Sequence, residues 1–374
     1  MRWLQIGMIA LMLCLLILIG IYLYHYIKRT AAFWGVHIGK KYVRWILMMG
    51  TACLVACALS IWNVGAIVLL YLVLTAACMD LIQFLVRKLW RRGKRIWDAV
   101  YQCGLVPVIA AAAIVSIGYY NMTHIRETSY TIYTEKAVEN YRIALISDLH
   151  FGTTMDEAEL QRYCGQISDC GPDIVVLCGD IVDENTSLKQ MQAAFQKLGE
   201  IKSTYGIFFV YGNHDKSQYR SSPNYTPDEL AKAIERSGIH ILADETYLIN
   251  DDLVLIGRDD AAAKGGRKSS EMLLQDLDTS RFLLLIDHQP LALALNSTLA
   301  YDLQVSGHTH GGQIWPLGLL NQVFRFNELN YGYEKQGKLQ VVVSSGMGGW
   351  GYPIRTEKVS EYVVLDIKGT GGPG

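Results

Sequence analysis

No two of the eight cysteines in this 374-residue chain form a C-x-x-C pair. That leaves neither a zinc ribbon nor a thioredoxin-type redox site to consider. Charge is scarce and balanced: Asp, Glu, Lys and Arg make up 18% of residues, and the formal net charge is -1. No overall basic field argues for a nucleic-acid partner. No internal repeat is visible. What the chain has in excess is apolar residues, at 51%, and they are unevenly spread. Almost everything before residue 120 reads as membrane, and almost everything after it as a soluble domain.

Residues 3–26 carry no Asp, Glu, Lys or Arg and are long enough to span a bilayer. The run is too long for a secretory signal peptide, and no small-residue cleavage site follows it. Residues 45–62, 64–86 and 101–120 are three further candidate spans, 64–86 being broken only by Asp80. Little more than Asn63 separates the second from the third, so a tight helical hairpin is expected. The loop after the first span carries Lys28, Arg29, Lys40, Lys41 and Arg44, and the loop after the third carries Arg87, Lys88, Arg91, Arg92, Lys94 and Arg95. Both basic loops are expected on the cytoplasmic side. Four spans then make a multi-pass protein of the cytoplasmic membrane with its soluble domain outside the cytoplasm; Arg2 opposes this with one charge. Asp80 is expected to pair or snorkel near Arg87 and Lys88 rather than to line an ion path. The basic run at 87–95 suits anionic headgroups, so membrane lipids are expected partners. The cysteines read as small buried hydrophobes. A bridge among Cys164, Cys170 and Cys178 is the alternative if the compartment is oxidising.

After a linker at 121–140, residues 141–368 change character. Short β-branched runs at 142–147, 174–178, 207–211, 253–256, 282–286, 303–306, 340–344 and 361–367 alternate with amphipathic stretches at 156–168, 188–201, 227–237 and 270–277. This predicts an α/β fold with sheets covered by helices. The glycine-rich tail, 369–374, is expected to be disordered. The chemistry sits where the strands end. Successive strands run into Asp148-Leu149-His150, Gly179-Asp180-Ile181-Val182-Asp183, Gly212-Asn213-His214-Asp215, Asp287-His288 and Gly307-His308-Thr309-His310. Any one of these would pass as loop polarity; five in series at the ligand-binding edge of an α/β sheet would not. Asp148 and His150, two apart in extended chain, can reach one ion together. Carboxylate, imidazole and amide oxygen without thiolate suit Mn, Fe, Zn or Mg.

The series D-x-H, G-D-x-x-D, G-N-H-D, a lone His and G-H-x-H resembles the calcineurin-like metallophosphoesterases over roughly residues 140 to 367. Ile256-Gly257-Arg258-Asp259-Asp260 and Gly307 to Gln313 resemble the bacterial membrane-linked branch, which includes phosphodiesterases and enzymes cleaving nucleotide-linked lipid precursors. The resemblance implies a two-sheet sandwich flanked by helices. It also implies one divalent ion on Asp148, His150 and His310, a second on Asn213, His288 and His308, and Asp180 bridging them. A hydroxide bridging the ions would attack phosphorus, while His214, oriented by Asp183, would protonate the leaving group. Arg258 and Arg355 are candidate contacts for substrate phosphate, the alternatives being a surface loop and a structural ion pair. The apolar stretch 316–326 is expected either to dip toward the bilayer or to be core. The expected activity is phosphodiester or phosphomonoester hydrolysis, possible substrates being lipid-linked phosphates or pyrophosphates. The alternatives are a broad phosphodiesterase on nucleotides or wall polymers, a metal-dependent receptor without turnover, and a domain accessory to a transporting or sensing set of spans.

Overall fold

The computed structural model describes residues 2–59, 63–89 and 94–369. The end of the second expected span (60–62), Arg91 and Arg92 of the basic run, and tail residues 370–374 lie outside the described residues. The chain divides into two compact units, Met1–Ile117 and Gly118–Gly374.

The first unit is helical: α1 (Arg2–Phe33), α2 (Lys41–Ala56), α3 (Val64–Leu89), α4 (Lys94–Cys103) and the start of α5 (Leu105–Thr123). Three stretches are long and apolar enough to cross a membrane: Ala10–Phe33, Val64–Leu89 and Leu105–Thr123. The described part of α2 has 16 residues, short of the roughly 20 that a spanning helix needs. The expected fourth span begins later than residue 101, because Gly104 adopts φ +69° and separates α4 from α5. Asp80 is paired on its apolar helix. Its carboxylate accepts from Arg29 Nη1 at 3.0 Å, Tyr22 Oη at 2.6 Å and Tyr101 Oη at 2.7 Å, which offsets the cost of a charge among apolar residues.

The second unit is a sandwich of two six-stranded sheets. One has the order β1-β12-β2-β3-β4-β5 and the other β10-β11-β9-β8-β7-β6. The strands are β1 (Arg126–Thr134), β2 (Tyr141–Ile146), β3 (Ile174–Cys178), β4 (Ile207–Val210), β5 (Ile239–Ile241), β6 (Glu245–Ile249), β7 (Leu253–Gly257), β8 (Phe282–Ile286), β9 (Leu303–Ser306), β10 (Gly332–Gln336), β11 (Leu339–Val343) and β12 (Glu361–Gly369). β2 to β5 run parallel, as do β7, β8, β9 and β11. Such strands are buried on both faces, which is why they read as unbroken apolar runs. Alternate residues supply the two faces. Ile143, Leu145, Val176 and Phe208 meet Leu255, Leu284, Ile286 and Val305 between the sheets. Ala144, Ile146, Val175 and Phe209 pack on the other side under α6 (Glu157–Asp169), α7 (Leu188–Gly199) and α8 (Pro227–Arg236). α9 (Ser270–Leu273) and α10 (Leu293–Asn296) cover the second sheet through Leu273 and Leu293. Asp156 with Glu159, Ser187 with Gln190 and Thr226 with Glu229 form capping boxes that fix where α6, α7 and α8 begin.

The stretch read as a linker at 121–140 contains β1. Its sequence is polar, and Ile132 is its one buried residue, as befits an edge strand pairing only with β12. The eight cysteines are free, so no bridge forms among Cys164, Cys170 and Cys178; Cys164 and Cys178 are buried.

Candidate metal centre

The parallel strands β2, β3, β4, β8 and β9 deliver their C-terminal loops to one place. Five side chains there stand on left-handed backbone: Asp148 (φ 50°), His150 (43°), Asp180 (53°), His308 (71°) and His310 (51°). Each such residue costs about 1–3 kcal/mol and persists only where its surroundings hold it. Here they do: Asp148 N–H donates to Gly179 O and His150 N–H to Asp180 O, both at 3.0 Å. Two motif glycines admit the carboxylates. A Cβ on Gly212 would lie 2.2 Å from Asp180 Oδ1, and one on Gly307 would lie 2.3 Å from Asp148 Oδ2.

Two clusters result, Asp148 with His150 and His310, and Asp180 with His288 and His308. Asp180 Oδ2 lies 3.1 Å from His288 Nε2 and 3.9 Å from His150 Nε2, so its carboxylate stands between them. His150 Nε2 and His310 Nε2 face each other at 3.3 Å. His310 Nε2 is 3.6 Å from Asp148 Oδ1. His288 Nδ1–H donates to Cys178 O at 2.8 Å, which fixes its tautomer and leaves Nε2 free to ligate. Asn213 Oδ1 is buried with no hydrogen-bond partner. Burial pushes His310 well below the ordinary histidine range, and His150 and Arg355 add to this. Burial and His288 push His308 down as well. For Asp180 burial acts upward, but His288 and His150 outweigh it and hold the carboxylate below its usual range. Burial acts downward on His288 too, but Asp180 outweighs it and raises that ring well above the ordinary histidine range. Carboxylates, imidazoles and an orphaned amide oxygen form a donor set that fits two divalent cations. Asp148, His150 and His310 could hold one. Asn213, His288 and His308 could hold the other, with Asp180 reaching both.

Three expected roles change. His214 is not paired with Asp183. Its Nδ1 lies 2.9 Å from Glu184 Oε2, and Asp183 turns inward. Asp183 Oδ1 accepts from Asn185 N–H at 2.7 Å, and Oδ2 sits 3.4 Å from His150 Nδ1. The turn that begins at Asp183 faces consecutive carboxylates opposite ways, so Asp183 steadies His150 and Glu184 steadies His214. Arg258 does not open onto the site. It is buried against Asp287 at 3.3 Å, and its Nε–H donates to Lys268 O at 3.1 Å. Arg355 is fully buried and donates to the carbonyls of His310, Ser345 and Gly348. Burial lowers it to about 10. It ties the His310 loop to the turn after β11 and has no face free for a phosphate.

Asp215, fourth residue of G-N-H-D, has a role that its spacing did not reveal. It accepts from the N–H groups of Asp180 (2.8 Å), Ile181 (2.9 Å), Val182 (3.1 Å) and Gly212 (2.6 Å). The loop carrying Asp180 is thus stapled to the loop carrying Asn213. Replacing Asp215 by alanine orphans four buried donors and is expected to cost about 3–5 kcal/mol, measured as a fall in the thermal midpoint of the purified chain.

Residues 141–312 match the model of the calcineurin-like phosphoesterases. Over 257 residues the chain is 34% identical to a metallophosphoesterase of Aquifex aeolicus, an alignment covering 66% of this chain and 93% of that protein. The chain belongs to the calcineurin-like metallophosphoesterases. The family implies a phosphoester hydrolase. A Campylobacter jejuni metallophosphoesterase is 32% identical over 62% of this chain, which spans 60% of that relative's length. A Danio rerio transmembrane protein with a metallophosphoesterase domain is 28% identical over 81% of this chain and 71% of its own. Among solved structures, a dimetal phosphatase from Danio rerio aligns with 55% of this chain and 87% of its own at 13% identity and a TM-score of 0.40.

Proposed function

We propose that this metallophosphoesterase hydrolyses phosphate esters with two divalent ions and is anchored by its apolar helices in the cytoplasmic membrane, its site outside the cytoplasm. The observation that carries the hydrolytic reading is the pair of facing clusters with Asp180 between them, beside the orphaned Asn213 Oδ1. Two ions held there would supply Lewis acidity toward the phosphate oxygens and lower the pKa of water at neutral pH. The chain's own residues do the rest. Asp183 and the Cys178 carbonyl hold His150 and His288 in place. Arg355 and Asp215 hold the loops. His214 stands beside the centre, its ring 5.4 Å from that of His150, and gives a proton to the departing alkoxide. Burial acts to lower His214, but Glu184 and Asp180 raise it, which keeps the proton available.

Membrane anchoring is supported by the three apolar helices and by relatives in Danio rerio and Bos taurus named as transmembrane proteins. With the 45–62 segment also crossing, the basic residues at 28–44 and 87–95 fall on one face, which the positive-inside rule favours as cytoplasmic, and this supports the proposed orientation. An anchored hydrolase suits a substrate in the bilayer, so a lipid-linked phosphate or pyrophosphate is the substrate class favoured. The test uses the full chain reconstituted in lipid nanodiscs with a chromogenic phosphodiester and monoester. Turnover is expected to need Mn²⁺, Zn²⁺ or Mg²⁺, to vanish with chelator and to return on re-addition. Turnover that survives removal of all divalent metal would sink the reading.

A further inference from the structure

The helix that follows the candidate metal centre is inside out for a protein in water. α11 (Leu317–Phe324) buries Gly318 and Asn321, one with no side chain and one polar. Gly318 N–H donates to the Glu357 carboxylate at 2.9 Å. The Asn321 amide donates to Asn330 Oδ1 at 3.2 Å and accepts from Asn327 N–H at 2.8 Å. The opposite face, Leu317, Leu319, Leu320, Val323 and Phe324, is exposed, and Phe326 extends it. Val323, Phe324 and Phe326 are 65%, 63% and 72% exposed. No charged residue occurs from 313 to 324. A helix at a water-facing surface presents the reverse arrangement, and contiguous apolar patches of this kind mark interaction sites.

The fold indicates what covers the patch. The last turns of α5 belong to the same unit as α11. Gly118 O accepts from Arg355 N–H at 2.9 Å, and Asn121 O accepts from Ser360 N–H at 3.0 Å. The neighbouring residues of that segment hold the entry to α11. Gln313 O accepts from Thr356 N–H at 2.8 Å, and Trp315 N–H donates to Thr356 Oγ1 at 3.0 Å. A helix apolar enough to cross a membrane and an outward-facing apolar helix are therefore fastened to one short segment, 354–360. Trp315 at the start and Arg325 at the end are residue types that favour the headgroup region.

We propose that α11 and Phe326 lie in the interfacial layer of the bilayer that α5 enters, a second membrane contact beyond the spans. His310 stands seven positions before Leu317, so this contact holds the candidate centre at headgroup depth, where a lipid's phosphate lies. The inference rests on the membrane reading above and not on turnover.

The test places the full chain in phosphatidylcholine–phosphatidylglycerol nanodiscs containing a phospholipid with a diazirine high on its acyl chain. After photolysis, labelled peptides are located by mass spectrometry. Label is expected within 315–326 as well as in α1 and α5. In the Leu320→Asp, Phe324→Asp double variant, label at 315–326 is expected to fall about fivefold or more while label in the spans is unchanged. Both positions are exposed, and an unchanged thermal midpoint checks that the variant is folded. Labelled spans with an unlabelled 315–326 would overturn the inference and leave the membrane reading intact. An unlabelled 315–326 that cross-links to a second copy would assign the patch to self-association instead. Absence of label from the spans as well would remove the membrane reading and this inference with it.

Discussion

Asp180→Asn is expected to lower hydrolysis by about a thousandfold or more and to release metal. Its carboxylate is nearly inaccessible to solvent and lies within 4 Å of histidine rings from both clusters, at 3.1 Å from His288 and 3.9 Å from His150. Asparagine has the same shape and keeps the contact in which Oδ1 accepts from His214 N–H at 2.8 Å. What it removes is the negative charge between the two histidine clusters and one acceptor, putting an N–H₂ group where an oxygen that would reach both ions stood. The fold is expected to persist, since the backbone of residues 180 to 182 is held by Asp215. Turnover of a chromogenic diester, elemental analysis and a melting curve measured on the same preparation separate loss of the centre from loss of the protein.

The second large effect concerns His214 and depends on the leaving group. A proton donor matters in proportion to how poor the departing alkoxide is, and such catalysis typically contributes 10²- to 10⁴-fold. His214→Ala is therefore expected to slow cleavage of an alkyl ester by about a thousandfold. For a nitrophenyl ester, whose phenolate departs without help, the expected loss is about tenfold or less. Glu184→Gln is expected to show the same pattern at smaller size, because Glu184 holds the His214 ring at 2.9 Å. Asp183→Asn is expected to slow both esters alike, since Asp183 faces His150. A series of aryl and alkyl esters run on the three variants reads this directly. Equal losses across the series for His214→Ala would remove it as proton donor.

How much of this could be read from residues alone varied with the kind of signal. The inner strands were legible because burial on both faces forces unbroken apolar runs, and β3, β8 and β9 have the limits that their sequences suggested. The histidines and carboxylates at their ends were legible because strand termini with polar, ligating residues are uncommon in series. The edges were not. β1 has one buried side chain and so leaves almost no apolar pattern. The assignment of Asp183 and Glu184 was hidden because two adjacent carboxylates differ only in how the turn aims them. Whether Arg355 meets substrate or holds structure was open because its partners are carbonyl oxygens, which every residue carries and no motif marks. The 317–324 helix shows a further limit. Composition reads alike for core and membrane, and only the burial of Gly318 and Asn321 under an exposed apolar face distinguishes them.

The most direct test of a two-ion hydrolase is a titration. The full chain, stripped of metal by chelation and reconstituted in nanodiscs, is supplied with increasing Mn²⁺ while hydrolysis of a chromogenic phosphodiester is followed. The two-cluster geometry predicts a rate that rises until two ions are bound per chain and then levels off. A full rate reached with one ion, or two ions bound with no turnover of any phosphoester offered, lipid-linked ones included, would contradict it.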